Sequence, residues 1–297
     1  MTKQTIAVFG ATGSQGGSVV RHLKDLTDFH VRALTRRPDS YDGPADEAVL
    51  VDLDDITTLS SALAGADGVF LVTNFWEPGT DEVKQASAAV QAAVDAGVSH
   101  LIWSSLPDVE QISGGTWDVP HFTNKARVDP IVRAAGFPVH TIVQMPFYMQ
   151  NLIGMMGPQP MQNGSKGWTL PIDPDARAIQ MGSVDEIGSL VAGAFDNPEE
   201  SAGETLSMAG GTYSFADVVE AYSAAVGETL GFQQVPQDVF ASFFPQAREI
   251  GQMLGYFEDH TYMGPDADSR IAKASKIAKV PFTPLDKWLA SKLKQSA

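Results

Sequence analysis

The chain contains no cysteine. That absence excludes disulfides, thiolate metal sites and any thiol-based redox switch, so a redox-sensing role would have to work through a bound cofactor. Cations are scarce as well: 20 Lys and Arg stand against 36 Asp and Glu, a formal net charge of −16. Such a surface repels nucleic acid and anionic membranes, and no local Lys/Arg cluster offsets it. No apolar run reaches the roughly 20 residues that cross a bilayer. No basic segment followed by an apolar one, the pattern of a secretory leader, is present. The expectation is a soluble, cytoplasmic protein with neither a membrane nor a nucleic acid as partner. The Asn163-Gly164-Ser165 sequon is then a chance match. The six histidines are scattered. No metal site, nucleophile elbow, P-loop or carboxylate pair is readable.

What is present begins with Ile6-Ala7-Val8-Phe9-Gly10-Ala11-Thr12-Gly13-Ser14-Gln15-Gly16-Gly17. An apolar strand runs into spaced glycines, and a helix follows with Val19, Val20, Leu23 and Leu26 on one face. That order suits a dinucleotide pyrophosphate. Gly10 permits a tight turn, Gly13 lets backbone N–H groups approach phosphate, and Gly16 lets the helix pack against the strand. The spacing is G-x-x-G-x-x-G rather than G-x-G-x-x-G. Its weight comes from its place between the first strand and a helix.

The first 150 residues alternate strand and helix. Strands are predicted at Thr5–Phe9, His30–Leu34, Ala48–Asp52, Gly68–Thr73, His100–Ser104 and Val139–Met145. Helices are predicted at Gln15–Leu26, Ile56–Ala64, Asp81–Ala96 and Asn124–Ala135, with Pro130 kinking or restarting the last one. The pattern predicts an α/β fold of Rossmann type, a doubly wound parallel sheet with helices on both faces. Residues 147–177 are rich in Met, Gly and Pro and show no clean period. Beyond them we read a helix at Val184–Asp196 and a strand at Glu204–Ala209. A helix at Phe215–Gly227 follows, capped by Ser214 and Asp217, and then helices between Pro236 and Leu254. The division is therefore 1–150 as a dinucleotide-binding domain and 151–297 as a smaller α/β region on the substrate or partner side, with strands returning to the main sheet.

In such sheets ligands sit beyond the carboxyl ends of the strands. Strand one ends at Gly10, Ala11, Thr12, Gly13, Ser14, Gln15 and Gly16. Strand two ends at Arg36 and Arg37, where an acidic residue would bind the ribose 2′-OH of NAD. Arginine instead attracts a 2′-phosphate, a preference for NADP(H) on the order of 10- to 100-fold. Strand three ends at Asp52 and Leu53, which either reach an adenine amino group or form a turn before a helix. Strand four ends at Thr73, Asn74, Phe75 and Trp76, with Asn74 toward ribose or nicotinamide and the rings as pocket wall or core. Strand five ends at Ser104, which orients a substrate carbonyl or caps a loop. His121 is suited to relay a proton near neutral pH or to a structural role. Lys125 lies where it can reach the nicotinamide ribose and is a candidate acid or base.

These residues resemble the NmrA-like proteins, atypical members of the short-chain dehydrogenase/reductase superfamily. The resemblance rests on Val8 to Val19, Val31 to Arg36, Val72 to Glu77, Glu82 to Gln85, His121 to Lys125 and Pro146 to Leu152. It is close over the first 150 residues and loose beyond. It implies NADP(H) binding by Gly10 to Gln15, Arg36, the Asp52 region, Thr73 to Phe75, Lys84 and Lys125. It adds the segment Pro146, Phe147, Tyr148, Met149, Gln150 and Asn151. The superfamily's usual Tyr-x-x-x-Lys pair is here His121 and Lys125, so dehydrogenase chemistry of the usual kind lacks its tyrosine.

Two functions stay open. One is an NADPH-dependent reductase of a small apolar or aromatic carbonyl- or quinone-type substrate. Lys125, His121 or water would supply its proton, and Trp76, Trp117, Phe147, Tyr148, Asn151 and Met155 would form its pocket. The other is a non-catalytic NADP(H) redox sensor that regulates a partner protein, the branch to which Asn-Phe-Trp-Glu and His-Phe-x-x-Lys look closer. A homodimer also stays open. A DNA-binding repressor is disfavoured by the charge.

Overall fold

The computed structural model describes residues 3–161 and 164–293; Asn163 of the sequon lies outside the described residues. The strands of the first half are β1 (Thr5–Val8), β2 (His30–Thr35), β3 (Glu47–Leu50), β4 (Gly68–Leu71), β5 (His100–Ser105) and β6 (Val139–Gln144). The later strands are β7 (Phe147–Tyr148), β8 (Gln159–Pro160), β9 (Lys166–Leu170), β10 (Ile179–Gly182), β11 (Thr205–Ser207), β12 (Gly211–Tyr213) and β13 (Gly231–Gln234). The main sheet has seven strands in the order β11-β6-β5-β4-β1-β2-β3, all parallel. This is the doubly wound Rossmann-type order with one strand added beside β6.

Side chains alternate across this sheet with the period of two that a strand imposes. Ile6 and Val8 face one buried cluster with Val31, Phe70 and Ile102. Ala7 and Phe9 face the other with Leu34, Leu71 and Trp103. On the first face α1 (Ser14–Leu26) brings Val19, Val20 and Leu23. On the second, α2 (Ile56–Leu63) and α3 (Glu82–Asp95) bring Leu59, Leu63, Ala89 and Val90.

The helix expected at Asn124–Ala135 is two helices. After α4 (Val109–Ile112), α5 runs Pro120–Ala126 and α6 runs Asp129–Ala134, with Pro130 in its first turn. Proline has no N–H to donate to the preceding turn, so it restarts the helix rather than kinking it. The third strand is Glu47–Leu50 rather than Ala48–Asp52. The Asp52 N–H is turned to Thr58 Oγ1 (2.9 Å), which takes it out of the ladder.

The second half weaves into the first. α7 (Ile187–Asp196) crosses α1 so closely that a Cβ on Gly188 would lie 2.2 Å from Ser18 O. Ser18 Oγ donates to Asp185 O (2.7 Å) and accepts from Gly188 N (3.1 Å). After α8 (Pro198–Ser201), β11 pairs in parallel with β6. Then comes α9 (Phe215–Val226), whose Ser214–Asp217 capping box is as expected. The unpatterned segment holds short strands in two three-stranded sheets, β12-β10-β7 and β13-β9-β8. The chain closes with α10 (Gln237–Phe240), α11 (Ala247–His260), α12 (Ala267–Ile277) and α13 (Leu285–Leu293). Among the described residues no helix is long and apolar enough to cross a membrane.

Candidate functional site

Strand order reverses at β1, which has β4 on one side and β2 on the other. The crevice opened there is where ligands of such sheets bind. Gly10 turns the chain with φ +62°, a conformation that favours glycine. A Cβ on Gly16 would lie 2.2 Å from Gly10 O, so only glycine lets α1 begin this close to β1. Gly13 is the residue before the helix and offers no capping side chain, and the first turn carries no acid. Thr12, Gly13 and Ser14 are exposed and Ala11 is buried. The Gly13 N–H turns inward to Gly10 O (2.8 Å), and the amides of the first helical turn form an N-terminus of partial positive charge suited to an anion. Gln15 is anchored beneath it: Ser104 Oγ donates to its Oε1 at 2.7 Å, which stitches β5 to α1.

The outer rim lies beyond β2 and β3. Arg36 directs its fork at Glu77, with Nη1–Oε1 at 2.5 Å and Nη2–Oε2 at 3.4 Å. Its pKa is raised, first by the hydrogen bond and charge of Glu77 and further by Asp52 and Asp54. Arg37 is exposed and has no ion pair among the described residues. The Asp52 carboxylate accepts from Asp54 N (3.0 Å), a turn contact, and Leu53 is half-buried beside it.

The inner end joins β4, α3 and α5. The Lys125 ammonium meets Thr73 O (2.9 Å), Thr73 Oγ1 (3.1 Å) and Glu82 Oε1 (2.8 Å). Thr73 Oγ1 donates onward to Glu82 Oε1 at 2.7 Å. All three ammonium hydrogens are thus used within the protein. The pair is sealed, with side-chain exposures of 9% for Lys125 and 1% for Glu82. Burial lowers the lysine pKa, and Glu82 opposes that shift. The second Glu82 oxygen, Oε2, is buried with no hydrogen-bond partner among the described residues. Trp103 lies under the ammonium, 5.5 Å from ring centre to Nζ, and its indole donates to Asp129 Oδ1 (3.1 Å). Ser105 Oγ donates to the same oxygen (2.6 Å). Burial pushes the Asp129 carboxyl up to about 6 against these hydrogen bonds. Sequence reasoning assigns neither Glu82 nor Asp129 a role in the site. An acid in the first turn of a helix reads as a partner of the helix dipole, and Glu82 and Asp129 both sit there.

His121 lies between the two halves of the molecule. Its Nδ1 is 2.5 Å from Glu249 Oε1 on α11. Burial pushes the Glu249 carboxyl upward, but its hydrogen bonds and charge contact with His121 outweigh that and hold it below the usual range. An ionised carboxylate only accepts, so Nδ1 carries the hydrogen and Glu249 fixes the ring through it. The ring sits 5.8 Å from Phe75 and 5.1 Å from Trp76, centre to centre. Trp76 is 57% exposed. Asn74 Oδ1 accepts from Trp76 N, which shapes this turn. The Lys84 side chain is exposed at the start of α3, where its N–H meets the capping Asp81 carboxylate.

The remaining predicted residues do not all converge. Pro146, Phe147 and Met149 are buried. Tyr148 is half-buried, and desolvation raises its pKa. Gln150 is used up in anchoring the start of α7, donating to Ser183 Oγ (2.8 Å) and accepting from Val184 N (3.0 Å). The Asn151 carbonyl accepts from Gly154 N and Met156 N. Met155 is 89% exposed. Trp117 packs against α11. Its Nε1 donates to Asp259 Oδ2 (2.9 Å), and its ring lies where a Cβ on Gly255 would be. There it helps line a separate cavity of about 330 Å³ with Pro171, Val235, Pro236 and Glu258. A wider concavity of about 650 Å³, lined by Lys3, Gln4, Asp25 and Phe29, lies at the amino ends of β1 and β2, away from the glycine turn.

A profile of the NmrA-like family matches residues 2–289. The chain belongs to the NmrA-like family. An NmrA-like family domain-containing oxidoreductase of Aspergillus japonicus is 30% identical over 248 residues, covering 77% of this chain and 75% of its own. Among solved structures, NmrA, described as a negative transcriptional regulator in complex with NADP, superimposes with a TM-score of 0.81 at 22% identity, covering 100% and 97% of the two chains. An NADPH-dependent quinone oxidoreductase of Escherichia coli, complexed with NADPH, gives 0.76 at 18% identity, covering 96% and 99%. At these identities the structural matches establish a shared fold. In this NmrA-like chain, the site offers an open anion seat at α1, an arginine pair at the outer rim, a locked lysine at the inner end and an oriented histidine between the halves.

Proposed function

We propose that this chain binds NADP(H) and acts as a reductase of a small apolar or aromatic carbonyl- or quinone-type substrate. The observation that carries the reading is the uncapped, acid-free N-terminus of α1 over a turn where Gly16 admits no Cβ. Residues Gly10 to Gln15 fit a pyrophosphate there. Arg36 and Arg37 would hold a 2′-phosphate, with Asp52 and Leu53 toward the adenine. Thr73 to Phe75, Lys84, Lys125 and the segment Pro146 to Asn151 would surround the other half. When bound, the reduced dinucleotide supplies a hydride. His121 would hold the proton that the reduced oxygen takes up, at Nε2, with Glu249 fixing the ring. Phe75 and Trp76 would exclude water beside it. Lys125 would act by positioning, because its three hydrogens are engaged. NADP and NADPH in the two structural relatives and the oxidoreductase description of the Aspergillus protein support this reading.

The engaged lysine also favours a second reading, a non-catalytic NADP(H) sensor acting on a partner protein. Calorimetric titration with NADPH, followed by NADPH oxidation assays with quinones, aromatic aldehydes and dyes, separates the two. The reductase reading expects turnover that His121→Ala lowers by about 10²- to 10⁴-fold. Tight NADPH binding with no turnover across the panel would reject it in favour of the sensor. No dinucleotide binding would reject both.

A further inference from the structure

We propose that Glu77 determines how strongly this chain distinguishes NADP(H) from NAD(H), by occupying the Arg36 guanidinium that a 2′-phosphate requires. The proposal rests on the cofactor reading above. Both terminal nitrogens of Arg36 face the two Glu77 oxygens, the forked arrangement that arginine makes with a phosphate. Glu77 is not on a free segment. Its N–H is directed at Asn74 O (3.4 Å), and its carbonyl accepts from Thr80 N (3.2 Å), so the turn beyond β4 presents it to the end of β2. Asp52 and Asp54 also act on the same guanidinium.

A 2′-phosphate arriving here must displace one carboxylate and then sit among three. Phosphate carries close to two negative charges at neutral pH, so both costs fall on NADP(H). NAD(H) has a 2′-hydroxyl at that position, which a carboxylate accepts as a hydrogen-bond donor, so neither cost applies to it. Glu77 therefore does from the strand-four loop what an acid at the end of strand two does in NAD-binding sites. Arg37, with no ion pair among the described residues, supplies the remaining attraction for phosphate. The arginine pair and its opponent together set a modest preference instead of a strict one.

The test is calorimetric titration of the full chain with NADPH and with NADH, for wild type, Glu77→Gln, Arg36→Ala and the double variant. Glu77→Gln should tighten NADPH by about three- to tenfold and leave NADH within about twofold. In the Arg36→Ala background the gain should shrink. A purely structural role for Glu77 would move both dinucleotides alike, and that result would overturn the proposal. So would an unchanged or weakened NADPH affinity in Glu77→Gln. Wild type binding neither dinucleotide would fail earlier, at the cofactor reading, and would remove the proposal with it.

Discussion

Arg36–Glu77 and Lys125–Glu82 join a cation to a glutamate across the carboxyl edge of the same sheet, at 2.5 and 2.8 Å. Their surroundings make them opposites. At the outer rim the arginine is 62% exposed and the glutamate 40%, so water competes for both and the contact is easily exchanged. At the inner end the pair is sealed over Trp103, its hydrogen bonds are shared with Thr73, and one carboxylate oxygen has no partner among the described residues. Exchange there would strand a charge in low dielectric. The outer pair is thus open to exchange, whereas the inner pair is part of the buried scaffold of the same edge.

The comparison can be broken first at the inner end. Lys125→Met leaves Glu82 buried without its counter-ion and should cost about 3–5 kcal/mol in urea unfolding. Lys125→Met with Glu82→Leu should recover most of that loss. If the single variant unfolds like wild type, the inner pair is no more structural than the outer. The next largest effect concerns Asp129. Its carboxyl titrates at about 6 in the folded chain and at an ordinary 3.8 when unfolded. Between these values the folded state binds the proton more tightly, so stability should fall as pH rises from about 4 to about 6 and stay lower at neutral pH. Asp129→Asn keeps an acceptor for Ser105 and Trp103 and should stabilise the chain at neutral pH by up to about 3 kcal/mol. A flat difference between the two across that pH range would remove this account. The smallest effect sharpens the contrast: Arg36→Ala and Glu77→Gln should each change stability by less than about 1 kcal/mol. Whatever they do to NADPH affinity is then a binding effect.

The parts of the fold that follow a period could be read before the structure. Ile6–Phe9, His30–Leu34 and Gly68–Leu71 announce themselves as buried strands, and Val19, Val20 and Leu23 mark one helical face. The strands of residues 147–177 did not, because Phe147–Tyr148 and Gln159–Pro160 are two residues long and Lys166–Leu170, with Gly167 and Trp168 both buried, shows no alternation. The glycine turn was legible because backbone geometry alone demands glycine at Gly10 and Gly16. Arg36 could be placed at the end of β2, but its partner Glu77 lies 41 residues away and belongs to another loop. Glu249, 128 residues from His121, is likewise beyond any local pattern. Lys125 was visible as a lysine in the right place, and its engagement by Thr73 and Glu82 was not. Spacing shows which side chains reach the edge of a sheet, while the groups that then claim them are set by tertiary contact.

β11 has a consequence for how the chain is made. The six strands through β6 are complete by Gln144, and the seventh lies about 60 residues further on. At ordinary rates of protein synthesis those residues take roughly 3–12 s to emerge. Throughout that interval the outer edge of β6, with Ile142 and Val143 beside it, lacks the neighbour it has in the finished sheet. An unpaired edge of this kind is a template for intermolecular pairing. Between the synthesis of β6 and the arrival of Ser207 the nascent chain therefore carries this edge unpaired, and a translational pause placed within that stretch would lengthen the exposure.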